Sequence, residues 1–93
     1  MRIKTSNEDG QFFITISENG DNINAVGNTP KEAMQALLER VKEALADDES
    51  NLIKAKECGI ELNEAEDTHY FFSTIKRTKK MLQCVENKLK KLN

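Results

Sequence analysis

The 93-residue sequence predicts an α+β fold in which three antiparallel strands are followed by two helices, in the order βββαα. Two observations carry this prediction. Short β-branched and aromatic segments separated by turn residues occupy the first 26 positions, and apolar residues then recur every three or four positions to the C-terminus. A chain of this length has room for a single domain, so we expect a βββα unit over residues 1–46 and a helical extension over residues 47–93.

Turn signals separate the three predicted strands. Residues 1–6 alternate in polarity, as a half-buried strand does, and an acidic-glycine turn cluster follows them. Residues 11–17 are β-branched and aromatic and form the strongest strand candidate. The Asn19-Gly20 dipeptide favours a two-residue hairpin turn. Residues 22–26 are therefore expected to return as the third strand of an antiparallel meander.

The first helix has a recognisable start and stop. Residues 29–32 read Thr-Pro-Lys-Glu, in which the threonine is the N-cap, the proline is the first helical residue and the glutamate can reach back to the N-cap amide. The apolar stripe that follows stays in phase across the polar residues 47–51. Those polar residues either interrupt the helix or form its solvated face. We favour one long or slightly bent helix from Pro30 to Cys58, packed on the sheet, with Gly59 as its left-handed stop.

A second capping pattern begins at Asn63 and introduces the C-terminal helix. Its apolar residues are spaced four and three apart over three heptads, as in a coiled coil, and only Thr78 interrupts them. Because a three-stranded sheet is too small to cover two long helices, we expect an αα-hairpin whose outer half pairs with a second copy of the chain. The residues predicted to form this homodimer seam are Phe71, Ile75, Leu82, Val85, Leu89 and Leu92.

Charge is strongly segregated along the chain. Residues 31–67 contain 11 acidic and five basic side chains, whereas residues 76–93 contain seven basic side chains and one acidic. The net charge of −2 disfavours a dedicated nucleic-acid-binding protein. No apolar run approaches the roughly 20 residues needed to span a bilayer, and the N-terminus lacks the apolar centre of a signal peptide. We therefore expect a cytoplasmic protein that does not contact a membrane.

No residue pattern predicts an enzyme, a metal site or a cofactor. His69 is the only histidine, and no nucleophile signature surrounds it. Glu66 and His69 form one E-x-x-H pair, which supplies only two metal ligands. The glycines are isolated, so the sequence has no phosphate-binding loop. Cys58 and Cys84 are too few for a zinc site and are expected as reduced thiols, with a single bridge between them as the alternative.

Two charged helical segments are candidate binding sites. An acidic segment can mimic phosphates toward a basic partner, whereas a basic segment can contact the phosphates of a nucleic acid directly. A solvated helix face is the alternative for each, with the basic segment paired with the acids of residues 39–49. The candidate residues are the acidic Asp47, Asp48 and Glu49 and the basic Lys76, Arg77, Lys79 and Lys80.

The N-terminal half carries a resemblance to a known family. An acidic-glycine turn, an aromatic second strand and a third strand lead into a helix start that follows the pattern G-x-T-x-x-E-A, matched by Gly27, Thr29, Glu32 and Ala33. In these features residues 1–46 resemble the HicB-like antitoxin fold. The chain departs from that family in its short second hairpin and in ending with a basic helix instead of a DNA-binding module.

The resemblance implies a non-catalytic protein that neutralises another protein, often a nuclease, by occupying its surface. A small chain with segregated charge and without a catalytic site also has the character of a phage-encoded inhibitor of a host defence system, of the anti-CRISPR or anti-restriction type. We therefore expect a stoichiometric, protein-binding inhibitor. The alternative is a nucleic-acid-binding accessory protein that uses its basic C-terminal helix.

Overall fold

Three antiparallel strands are followed by two long helices, which confirms the predicted βββαα order. The computed structural model describes residues 1–57 and 65–92. The elements are β1 (Arg2–Glu8), β2 (Gln11–Glu18), β3 (Asp21–Gly27), α1 (Pro30–Glu57) and α2 (Ala65–Leu92), and the strand order in the sheet is β1-β2-β3.

Both hairpins turn through two residues. Asp9, Gly10, Asn19 and Gly20 have φ angles of 52°, 78°, 47° and 87°, which is the left-handed region that both central positions of a type I′ turn require. Because the first turn takes only two residues, β1 continues to Glu8, two residues further than the alternation of the sequence indicates.

One face of the sheet packs on the helices and the other is open. Ile14 and Ile16 of β2 and Ala25 of β3 are buried beneath the helices. Phe13 and Val26 face the opposite side, where they are paired across β2 and β3 and are 39% and 45% exposed. The molecule therefore has two layers, and an aromatic–aliphatic pair lies on its open face.

The junction between β3 and α1 is held by local contacts. Thr29 is the N-cap, as predicted, and its hydroxyl oxygen accepts a hydrogen bond from the Glu32 amide at 3.1 Å. The Glu32 carboxylate reaches one residue further than predicted and accepts from the Asn28 amide at 3.1 Å. Gly27 has no room for a side chain, because a Cβ there would lie 2.4 Å from the backbone nitrogen of Ala33. Each residue of the G-x-T-x-x-E-A segment thus has a structural role at this junction.

The first helix is continuous through residues 47–51, which is the favoured one of the two alternatives that the sequence leaves open. It packs against β3 and β2, and Leu37 and Val41 are completely buried. Its 28 residues extend for about 42 Å at 1.5 Å per residue, whereas the strands are about 27 Å long or less. The C-terminal part of α1 therefore extends past the sheet, and the predicted stop at Gly59 and cap at Asn63 lie outside the described residues.

The second helix runs back along α1, and its apolar side chains are covered by their own chain. Ile75, Met81 and Val85 are 8%, 2% and 0% exposed. Leu82 and Leu89 are half-buried and pack against the same core. The apolar stripe of α2 is therefore part of the core of one protomer.

The prediction that this stripe stays exposed until a second copy covers it is wrong. The two helices have the same length, 28 residues each, so α1 supplies the covering surface that the sheet lacks. Ala55, near the end of α1, is itself 6% exposed. The side chains of Phe71 and Leu92, the other two predicted seam residues, lie outside those that the structure describes, and the homodimer itself stays a prediction.

Thr78, the polar interruption in the stripe, joins the two helices. It is 7% exposed, and its hydroxyl lies 2.7 Å from Oδ2 of Asp48 on α1 and 3.1 Å from the carbonyl oxygen of Thr74. A buried hydroxyl needs a partner, and a carboxylate acceptor gives the stronger bond. Asp48 therefore has a structural role between the helices.

Candidate binding surfaces

The structure separates the three acidic residues that are adjacent in the sequence. Successive residues of an α-helix point about 100° apart, so consecutive side chains do not form one patch. Asp48 is half-buried and bonded to Thr78, whereas Asp47 and Glu49 are exposed. Asp47, Asp48 and Glu49 therefore do not form one continuous patch, and their role in binding a partner stays a prediction.

An acidic row that the sequence analysis missed runs along α1 on the side of β3. Glu39, Glu43 and Asp47 are exposed and four residues apart, so they share one helix face at intervals of about 6 Å. Lys42 Nζ lies 3.9 Å from Glu39 Oε1, but both side chains are more than half exposed, and such a pair neutralises little of the charge. The four-residue spacing is the signal that identifies this acidic row.

A groove along the outer edge of β3, beside α1, borders the acidic row. It has an apolar part of about 490 Å³ and an adjoining polar part of about 290 Å³. Asn24 and Arg40 line both parts, so the two parts lie next to each other. Further lining residues are Phe13, Val26 and Ala36 in the apolar part and Asn22, Glu43 and Asp47 in the polar part.

A lysine-rich face lies on α2, opposite its buried side. Lys76, Lys79 and Lys80 are exposed and form no ion pair with the described residues, so the alternative in which the acids of residues 39–49 neutralise them is not seen there. Phe72 lies among them and is 52% exposed. These four residues line a shallow depression of about 460 Å³.

Arg77, which the sequence groups with these lysines, is not part of that face. Its Nε lies 3.3 Å from Oδ2 of Asp21 at the β2–β3 turn, and its side chain is only 24% exposed. Its Nη2 lies 3.5 Å from the hydroxyl of Thr74. The Nε contact lacks the geometry of a hydrogen bond and is therefore an ion pair. The side chain ties α2 to the hairpin, and the role of Arg77 in binding a partner or a nucleic acid stays a prediction.

The described side chains include no candidate metal site. Within residues 1–57 and 65–92, no group of three His, Cys, Asp or Glu side chains could hold a metal ion. Cys84 has a free thiol and is half-buried against the core. Cys58 lies outside the described residues, as do the side chains of Glu66 and His69. In the described part of the chain, neither helix is long and apolar enough to cross a membrane.

Comparisons with known proteins returned no relative of this chain. No protein-family model matches it, and no curated protein or solved structure matches it either. Function is therefore inferred from the surfaces of the molecule.

Proposed function

We propose that this protein is a non-catalytic inhibitor that binds another protein stoichiometrically, and that its target is a nuclease or another protein that handles nucleic acid. The observation that carries this proposal is the acidic row formed by Glu39, Glu43 and Asp47. A protein that binds nucleic acid presents a basic surface to the phosphates. Carboxylates repeated about every 6 Å along a helix are electrostatically complementary to such a surface.

The rest of the fold favours binding through α1. Thr29 caps the helix, and Leu37 and Val41 on its core-facing side are completely buried. Because α1 is fixed in this way, docking of the acidic row orders few additional groups, which lowers the entropic cost of association.

The resemblance of residues 1–46 to HicB-like antitoxins supports the same function. A phage-encoded inhibitor of a host defence system, of the anti-CRISPR or anti-restriction type, would use the same binding mode on a different target. Both kinds of target act inside the cell, so the proposal implies a cytoplasmic protein.

A capture experiment with matched variants tests the proposal. The immobilised protein is expected to retain a nuclease or nucleic-acid-handling protein from a lysate of the source organism, and to inhibit the purified target at a one-to-one ratio. Glu43→Lys with Asp47→Lys should abolish capture. The control, Glu8→Lys with Glu49→Lys, changes the charge equally at exposed acids outside the row. Equal capture by the row variant, or a target that stays active at equimolar inhibitor, contradicts the proposal.

Binding of nucleic acid is a second candidate function, and the lysine-rich face of α2 favours it. Lys76, Lys79 and Lys80 line one shallow depression with Phe72 and have no ion-pair partner among the described residues. Cations contact phosphates, and an exposed aromatic ring can stack on an unpaired base.

Titration with fluorescent single-stranded and double-stranded DNA at two salt concentrations tests this second function. Binding through phosphates must weaken as salt rises. Lys79→Glu with Lys80→Glu should abolish binding, whereas Lys31→Glu with Lys54→Glu, at exposed lysines of α1, should leave it unchanged. Affinity that does not depend on salt, or an equal loss in both variants, excludes the lysine-rich face as a nucleic-acid site.

A further inference from the structure

The β3 strand lies at the edge of the sheet, and no described residue pairs with its outer backbone groups. Among the described residues β3 pairs with β2 alone. Because a two-residue turn joins the two strands, Glu18 and Asp21 form the first hydrogen-bonded pair, and such pairs then alternate along the ladder. Asn22, Asn24 and Val26 therefore direct their N–H and C=O groups away from β2.

Side-chain contacts between β2 and β3 agree with this alternation. Side chains are closest in pairs that exchange no backbone hydrogen bond. The Ser17 hydroxyl donates to Oδ1 of Asn22 at 2.6 Å, and the Thr15 hydroxyl donates to Oδ1 of Asn24 at 2.7 Å. Within the described part of the chain, no backbone hydrogen bond from outside the sheet reaches β3. The outer edge of β3 is therefore unpaired.

The two edges of the sheet differ in their protection against strand addition. The β1 strand carries Arg2, Lys4 and Glu8, and charged side chains on an edge strand disfavour pairing with another chain. The β3 strand has no charged residue from Asn22 to Gly27. Strand addition is thus favoured at β3.

The groove beside β3 provides contacts for the side chains of an added strand. Its apolar part is formed by Val26, Phe13 and Ala36, and its polar part ends at Glu43 and Asp47. The two parts together follow about five residues of β3, or about 17 Å. Three carboxylates and one guanidinium line the groove, so it carries a net negative charge.

We propose that an extended segment of the inhibited protein adds to the sheet as a fourth strand along β3. This segment places an apolar side chain near Val26 and a basic side chain near Glu43 and Asp47. Main-chain hydrogen bonds to the outward groups of β3 provide affinity, and the groove provides specificity through alternate side chains. The inference rests on the proposed inhibitory function, since it specifies the segment of the target that is bound.

A peptide titration of the full chain, followed by NMR, tests the inference. The probe is an acetylated peptide of about eight alternating valine and lysine residues, long enough to cover the groove. It is expected to shift the backbone amide signals of Asn22, Asn24 and Val26 and to slow their hydrogen exchange. Two variant peptides serve as controls: one is N-methylated at alternate amides, and the other has glutamate in place of lysine. Each should bind at least about tenfold more weakly.

Proline substitutions distinguish the two edges. Asn24→Pro removes an outward N–H and leaves the ladder to β2 intact, since proline is tolerated on edge strands, and it should abolish peptide binding. In β1, hydrogen-bonded pairs with β2 alternate in the same way from the first turn, so the backbone N–H of Thr5 points away from β2. Thr5→Pro is therefore the matched control, and this variant should bind the peptide normally. If circular dichroism shows that Asn24→Pro is unfolded, Glu43→Lys with Asp47→Lys takes its place, with an expected loss of about tenfold.

In the peptide titration, the inference is overturned by no amide shift, by shifts confined to β1 or α2, or by equal binding of the N-methylated peptide. If the amide signals of β3 shift with protein concentration in the absence of peptide, a second copy of the chain pairs with β3 in place of a segment of the target. Failure of the proposed function gives a different result. In that case the peptide binds at β3 in the NMR titration, but the capture experiment yields no nuclease that the protein inhibits. If Asn24→Pro still inhibits a captured nuclease, the function stands and strand addition at β3 is wrong.

Discussion

Gly27 lies where β3 meets the first turn of α1, and its substitution by alanine tests how closely the two elements approach. A Cβ at this position would lie 2.4 Å from the nitrogen of Ala33, 2.8 Å from the carbonyl carbon of Glu32 and 2.9 Å from the α-carbon of Ala33. All three atoms belong to the backbone, so no side chain can rotate away. Since non-bonded heavy atoms are optimally separated by about 3.5–4.0 Å, β3 or α1 must shift by about 1 Å.

The cost of that shift can be estimated from the surroundings. Overpacking of a well-packed site costs about 1–3 kcal/mol. The upper end applies here, because Ala33 is 1% exposed and its amide donates to the Thr29 carbonyl at 3.0 Å. Alanine also reduces the conformational freedom of the unfolded chain, which offsets about 0.4–1 kcal/mol. We expect Gly27→Ala to lower the free energy of unfolding by about 2 kcal/mol, or Tm by about 8–16 °C for a domain of this size.

Urea unfolding followed by far-ultraviolet circular dichroism measures this loss. Gly10→Ala is the control, because Gly10 has open space around it and a φ of +78°, so that alanine there meets only backbone strain of about 1–2 kcal/mol. Thr29→Ala removes the cap alone and should cost about 1 kcal/mol. A Gly27→Ala protein as stable as the wild type would refute the steric reasoning, whatever the two controls show.

Three further predictions concern the helix pair. Val85→Ala should lower the free energy of unfolding by about 2 kcal/mol, since Val85 is completely buried within one protomer. An unchanged urea midpoint would contradict this burial, and a midpoint that rises with protein concentration would support the predicted homodimer. Thr78→Val should cost about 1 kcal/mol, and a double-mutant cycle with Asp48→Ala should give a coupling of similar size; additive effects would show that the hydrogen bond contributes nothing. Arg77→Gln should change the free energy of unfolding by less than about 1 kcal/mol, because its partner Asp21 is 56% exposed, and a loss twice as large would show that the pair is better shielded than its exposure indicates.

The acidic row and the lysine-rich face lie on different helices, so they can be tested independently. The acidic row borders β3 along α1, whereas Lys76, Lys79 and Lys80 lie on the side of α2 opposite its core contacts. Charge reversal at one surface is therefore expected to leave binding at the other unchanged. An inhibitor that acts through α1 retains the lysine-rich face for a second contact.

Local chemistry made much of this fold predictable from the sequence. The Asn19-Gly20 pair adopts the positive φ values that a two-residue turn needs, and Thr29 caps α1 as its position indicates. The continuity of α1 through residues 47–51 follows from the phase of its apolar stripe. In each case the interacting groups lie within a few residues of one another, so the sequence alone contains the information.

Tertiary structure alone decided what covers each surface. Periodicity indicates that Ile75 and Val85 are buried, but whether α1 or a second copy covers them depends on the packing of segments far apart in the chain. The same holds for Asp48, which accepts a hydrogen bond from Thr78, 30 positions away in the sequence. It also holds for Arg77 on α2, which forms an ion pair with Asp21 at the β2–β3 turn. A residue pattern specifies which groups need a partner, and only the fold determines which partner comes within contact distance.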